Sequence, residues 1–439
     1  MTDKTTPKFE LLVEGTAAEI ALAESISVLR VHQHLDISDA LELELSNDDL
    51  SWTESDTLAE GKKVALKLGY EGSDLVKVFE GQVVRRDCAF PVRGSAVVTV
   101  VAHDMSHKLK RGKKSRTFID QKDSDIASQI AGELSLSADV EDSAVVHPYL
   151  FQNAQTDHAF LRSRAALIGY ELRVEREQGK LVFKKPQTGS AAATLTWGEN
   201  LLAFSPRMST ANQLSKVKVR GWDPVQKQVV TGEADTSKLR FTLDGSQKGA
   251  ALAESSYGAA EVTCVEFPVG LPAEANALAE AILNAQSANY CEGEGSCQGD
   301  PALGPGSVVE IDGCGERSSG QYYVTKVLHH YEPSAGFSTH FSVTRSTERK
   351  SPGEREELPQ TVSERADESP ESPGWMEIRV RSETGDSLDG VSYVVTLPNG
   401  EQQRGTLDEA QTIRVEGIRD PGEAKIELNP PEELNALED

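Results

Sequence analysis

The chain has 439 residues, with 70 acidic side chains against 45 Lys and Arg and a formal net charge of −25. Nucleic-acid affinity rests on clustered cations facing phosphates, so a chain this acidic is a poor candidate for DNA or RNA binding. No run of about 18 apolar residues is present, which excludes a transmembrane helix, and five cysteines over this length do not suggest a disulfide framework.

Residues 1–9 are polar, with no apolar stretch and no cleavage-site pattern. The expectation is a chain made and assembled in the cytoplasm, without a secretory signal and without stable membrane insertion. The first hundred residues read as strands. Leu41, Leu43 and Leu45 alternate with Glu42 and Glu44, the period-two pattern of a half-buried strand. Val64, Leu66 and Leu68 repeat it, and residues 78–84 and 96–102 are further strands rich in β-branched side chains. Short strands joined by glycine-containing turns predict a small barrel or sandwich.

A basic connector follows. Lys108, Lys110, Arg111, Lys113, Lys114 and Arg116 crowd together in an otherwise acidic chain. Concentrated cations steer association with acidic surfaces, and no aromatic residues interleave for base stacking. These six are the candidate partner-interface residues; the competing reading is a solvated loop. Helical spacing comes next. Asp123 or Ser124 is expected to cap a helix carrying Ile126, Ile130 and Leu134. A second helix is expected to start at Thr156 or Asp157, to bury Phe160, Leu161, Ala165 and Ile168, and to stop at Gly169. A hairpin then runs through Tyr170, Leu172 and Val174, turns near Gly179 and returns through Leu181 and Phe183. Residues 123–185 thus read as a compact α+β insert.

From about residue 195 to 345 strands resume, through Val217 and Val219, 262–267, 308–311, 322–328 and 337–343. One helix is expected to interrupt them, after Pro272, with Ala275, Leu278, Ala279 and Ile282 on one face. Residues 351–374 hold four prolines, many Glu and Ser and no aromatic residue, which predicts a disordered linker. Beyond it, residues 375–439 read as a small β domain, with Asn399-Gly400 as a hairpin signal.

Three stretches carry a family resemblance when taken in order. Gln155-Thr156-Asp157-His158-Ala159-Phe160-Leu161 leads to Ile168-Gly169-Tyr170-Glu171-Leu172. Gly198-Glu199-Asn200-Leu201-Leu202 continues through Phe204-Ser205-Pro206-Arg207 to Val217-Lys218-Val219-Arg220-Gly221-Trp222-Asp223-Pro224. Cys291-Glu292-Gly293-Glu294-Gly295 leads through Gly299-Asp300-Pro301 and Gly304-Pro305-Gly306 to Gly320-Gln321-Tyr322-Tyr323-Val324. Together they resemble the phage late control protein D family of tail hubs, which includes the N-terminal hub portion of VgrG proteins in type VI secretion. The resemblance spans roughly residues 8–347.

It implies a mainly β fold with two β-barrel-like hub domains and an α+β insert. The expected domains are then 1–110, the insert 111–190, the second barrel 191–350, the linker 351–374 and a β-sandwich module at 375–439. It also implies a homotrimeric baseplate hub of a contractile injection system, adapting a sixfold inner tube to a threefold spike. VgrG continues into a needle, and nothing of that repeat type occurs here, so the spike is expected to be a separate chain. The terminal module would dock an effector or another baseplate protein.

No catalytic, cofactor or metal residues are expected. Cys291 and Cys297 are separated by five residues, off the usual zinc spacing, with Cys314, His329 and His330 downstream. Gly293, Gly295, Gly299, Gly304 and Gly306 lack the Gly-Lys-Ser/Thr ending of a phosphate loop, and a turn-rich loop using positive φ is the expectation. His103, His147 and His158 have no nucleophile elbow beside them. The competing functions are a hub-associated cell-wall hydrolase and a receptor- or glycan-binding module.

Overall fold

The computed structural model describes residues 6–176, 179–240, 242–245 and 247–348, and, further on, 374–379, 391–396, 402–407, 412–418 and 425–429. The fold is mainly β. Residues 1–352 form one compact unit and 353–439 another.

The first unit is organised by a single long sheet. Its strands lie in the order Leu201–Met208, Cys291–Gln298, Gly336–Arg345, Gly320–Glu332, Ile26–His34, Ala40–Ser46, Val97–Asp104, Val76–Ala89, Lys63–Tyr70, Pro7–Val13 and Thr16–Ala17, with Val308–Asp312 and Ala191–Thr196 branching from Gly320–Glu332. Leu41, Leu43 and Leu45 all point to the core, as their alternation predicts, and join Leu29, Val31, Leu66 and Val100 in one buried cluster. The strands after residue 190 surround a second cluster built on Leu195, Val309, Ile311, Tyr322, Val324 and Phe341. The two halves meet where Ile26–His34 pairs antiparallel with Gly320–Glu332, from His34 opposite Lys326 to Leu29 opposite Tyr331.

Between them lies a third core. The helices Asp123–Glu133 and Asp157–Ile168 pack with Phe118, Tyr170, Leu181 and Phe183. Fully burying an aliphatic side chain stabilises by roughly 1.5–3 kcal/mol, and Ile126, Ile130 and Leu161 are all completely buried. Thr156 Oγ1 accepts the Ala159 N–H at 3.1 Å, and Gly169 ends the helix in the left-handed region at φ 65°. The first helix departs from expectation at its start. Its N-cap is Lys122, whose backbone N–H donates to Asp125, while Asp123 turns inward and is 1% exposed.

The β region after residue 190 differs in two further ways. Lys216–Asp223, Gln228–Asp235 and Glu261–Cys264 form their own three-stranded sheet, packed on the helix Pro272–Ala288. That helix is not alone, because Gly249–Tyr257 is also helical. Its apolar residues are mostly alanine, so it offers no aliphatic stripe to read.

Gly293 and Gly295 are not in a loop. Cys291–Gln298 is a strand at the heart of the second half. A Cβ on Gly295 would come within 2.5 Å of the Phe341 ring, and one on Gly293 within 2.9 Å of Phe204. These positions are glycine because aromatic rings lie across them; of the five, Gly306 alone has positive φ, at 85°. Cys291 and Cys297 lie six residues apart on this strand, a separation of roughly 20 Å, which rules out a bond between them.

In the second unit, Gly374–Arg379 pairs with Thr412–Ile418, and Ser392–Thr396 lies between Gln402–Thr406 and Lys425–Asn429. Val391, Val395, Leu407 and Ile413 are buried. The expected linker at 351–374, apart from Gly374 at the start of the strand Gly374–Arg379, and the Asn399-Gly400 turn fall outside the described residues.

Candidate assembly interface

The six basic residues do not act as one group. Lys108 and Lys110 lie on a short 3-10 helix, Met105–Lys110, capped by Asp104, which accepts the Ser106 N–H at 2.9 Å. Gly112 then turns the chain with φ 74° into the strand Lys114–Lys122. That strand aims Lys114 and Arg116 inward. Lys114 Nζ donates to Asp157 Oδ2 at 2.7 Å and to Glu133 Oε2 at 3.2 Å. Arg116 grips both oxygens of Glu133 at 2.7 Å, Asp157 Oδ1 at 2.8 Å and Gln152 Oε1 at 2.8 Å, with its guanidinium 5.1 Å above the Phe118 ring. Burial pushes the Glu133 carboxyl up, but hydrogen bonds from Arg116, Gln129 and Lys114 outweigh it and hold it at about 2. Lys114 and Arg116 therefore hold the insert together, because their hydrogen-bond partners lie within this chain.

Lys110, Arg111 and Lys113 remain exposed on the turn. Their neighbourhood is more cationic than the sequence run alone indicates. His158 is pushed down to about 4, by burial first and then by the charges of Lys110 and Arg162. Arg162 comes from the middle of the helix Asp157–Ile168, and no local sequence signal joins it to the run.

An exposed apolar face lies on the strand this basic turn feeds. Lys114–Lys122 pairs antiparallel with Val146–Gln155 as an isolated two-stranded ribbon, with Tyr149 opposite Ile119 and Phe151 opposite Thr117. Residues directly opposite share a face. Ile119, Tyr149 and Phe151 are 55%, 58% and 47% exposed. Sequence reading missed this ribbon. The alternation of Thr117 with Ile119 and of Tyr149 with Phe151 was the signal for it, masked by the buried polar residues His147 and Gln152. A second apolar end occurs on the small sheet, where Trp222 faces Val229 beside exposed Val225 and Val265. At the base of that sheet Lys216 pairs with Glu233 and Lys218 with Glu261, at 2.5 and 2.7 Å.

Where the first half, the insert and the second half converge there is an open cavity of about 930 Å³, lined among others by Asp36, Arg162, Tyr170, Glu171, Tyr323 and Lys326. Tyr323 donates to Glu171 Oε1 at 2.6 Å across it. Nearby, Asp39 and Asp104 form a buried carboxyl pair. Burial, then the facing charge of Asp104, raises Asp39 well above the usual carboxylate range.

The remaining residues of the sequence reading are dispersed. His329 is fully buried, with Nδ1 3.0 Å from Thr339 Oγ1, and burial pushes it down to about 3. Among the described residues no group of three or more His, Cys, Asp and Glu is placed to hold a metal ion, and no helix is long and apolar enough to cross a membrane.

The fold is similar to that of solved tail proteins. The 43 kDa tail protein of prophage MuSo2 from Shewanella oneidensis superposes with a TM-score of 0.58 at 16% identity, over 78% of this chain and 99% of that one. A tail protein from Neisseria meningitidis MC58 gives a TM-score of 0.55 at 13% identity, over 78% and 97%. No curated protein matches. The family model described as the Alg8 N-terminal domain matches residues 3–332, and the chain belongs to that family.

Proposed function

We propose that this protein is a structural hub in the baseplate of a phage-tail-like contractile injection system, a hub of the late control protein D and VgrG type. Three copies would form a ring whose six barrel-like halves match a sixfold inner tube on one side and a threefold spike, supplied by a separate chain, on the other. In this reading residues 1–110 and 191–350 are the two halves, 111–190 the insert, 351–374 a linker and 375–439 a module that docks an effector or another baseplate protein. The observation that carries it is the paired architecture. Two core clusters, each surrounded by strands of the same sheet, are joined edge to edge through Ile26–His34 and Gly320–Glu332, in a fold shared with tail proteins. Closed cyclic symmetry is the usual outcome of repeated identical contacts. The exposed aromatic ribbon and the cations at its base supply a surface for such contacts. The role is scaffolding rather than catalysis.

Image averaging of the assembled hub and tube without imposed symmetry tests this. Three hub copies per particle are expected; six copies, or one, would overturn the adaptor mechanism while leaving the fold untouched.

A further inference from the structure

One buried histidine lies where four elements converge. His147, on the strand Val146–Gln155, is 3% exposed. Its Nδ1 is 2.6 Å from Glu274 Oε1 and its Nε2 is 3.0 Å from Asp123 Oδ2. Asp123 opens the helix Asp123–Glu133 and also receives Arg164, from the helix Asp157–Ile168, at 2.6 and 3.1 Å. Glu274 belongs to the helix Pro272–Ala288, outside the insert. Its other oxygen accepts the backbone N–H groups of Gly270 and Leu271 at 3.0 and 3.1 Å, which caps that helix. The cross-strand neighbour Gln121 is neutral.

A carboxylate oxygen stands at each ring nitrogen. Only the imidazolium donates from both nitrogens. A neutral ring would turn a lone pair toward one carboxylate and could accept there only from Arg164 Nη2, 3.0 Å from Nε2. The charged groups facing the ring are Asp123, Glu274 and Arg164. With the imidazolium they sum to zero; without its proton they leave a buried net negative charge.

We propose that His147 is a protonation-operated clamp, fastening the α+β insert to the N-terminus of the helix Pro272–Ala288 when charged and releasing that contact when neutral. A second contact joins the two further along that helix. Gly169 lies close over Ala281, and Arg240 Nη1 reaches the Gly169 carbonyl at 3.2 Å. Release is therefore a local opening about that second contact rather than unfolding. Burial lowers the His147 pKa, but hydrogen bonds from the ring to Asp123 and Glu274 outweigh it and raise it above 6.5. A raised histidine contributes its full stabilisation below the unfolded value and loses it as pH rises through the folded one. The clamp thus holds below pH 6.5 and opens as pH rises through the raised pKa of His147.

The test uses the full chain. Histidine ring resonances are followed by NMR from pH 5 to 10, with His147 assigned by its disappearance in His147→Gln. Hydrogen exchange of the Gly270 and Leu271 amides is read over the same range, corrected for the intrinsic pH dependence. His147 is expected to titrate above 6.5. Protection of the two amides should fall as it does, by about tenfold for each unit the folded pKa exceeds the unfolded one. Glu274→Gln keeps an oxygen for the cap and should move the titration downward. Titration at or below 6.5, or amide protection that holds through the titration, would overturn the proposal.

Discussion

At the scale of single residues, this fold depends on positions where a side chain is absent. Gly232, on the small sheet, faces the helix Pro272–Ala288 so closely that a Cβ would overlap the backbone of Ala275 and Asn276. Backbone cannot rotate aside as a side chain can. Gly232→Ala should therefore destabilise by about 1–3 kcal/mol in urea unfolding, whereas Gly189→Ala, which meets nothing within 4 Å, should change stability by less than about 0.5 kcal/mol. Such glycines are opaque in sequence. Glycine at 293 and 295 is composition typical of a loop, and only the rings of Phe204 and Phe341 across the sheet reveal a strand. Thr156 and Gly169 were legible because capping is local chemistry, completed within four residues. Asp123 was legible as a helix start but not as the buried partner of His147 and Arg164, which lie 24 and 41 residues away in the chain.

At the scale of elements, the helices and core strands follow their periodicity, and the ribbon does not. His147 and Gln152 face inward where apolar residues would have completed the pattern. The helix Gly249–Tyr257 has too little aliphatic content to announce itself. The basic run was visible as composition, but its division into inward Lys114 and Arg116 and outward Lys110, Arg111 and Lys113 depends on Glu133 and Asp157 arriving from two helices. Two expectations follow at this level. Glu133 is held low, so its contribution is present above its unfolded value near 4.5 and lost as pH falls from there through about 2. Urea midpoints measured across that window should decline in the wild type, and Glu133→Gln should flatten the decline. Reversing Lys110, Arg111 and Lys113 to Glu should leave the melting temperature within a few degrees of wild type and, under the hub role proposed above, weaken association with a tube protein. That association should be strongly salt-dependent in the wild type, and unchanged binding at low salt would assign these cations to solvent. Reversing Lys114 or Arg116 instead should destabilise the insert itself.

At the scale of the whole molecule, the chain divides near residue 352. Removing residues 353–439 should leave a folded protein whose main thermal transition is unshifted; a lower or lost transition would show that the terminal module completes the first unit. The paired cores also carry a consequence for how the molecule comes into being. Leu29 hydrogen-bonds within a ladder whose other side is Tyr331, so the central seam of the sheet cannot close until nearly the whole first unit has left the ribosome. Contacts of such sequence separation form slowly, because distant segments must meet before they are rewarded, and unpaired strand edges are sticky while they wait. Until the seam closes, Ile26–His34 lacks its partner along one side. Production of this protein should therefore be limited less by final stability than by the interval between synthesis of the first half and arrival of residues 320–332. Slowing translation across that interval, or raising expression temperature, should increase aggregation without changing the melting temperature of what folds.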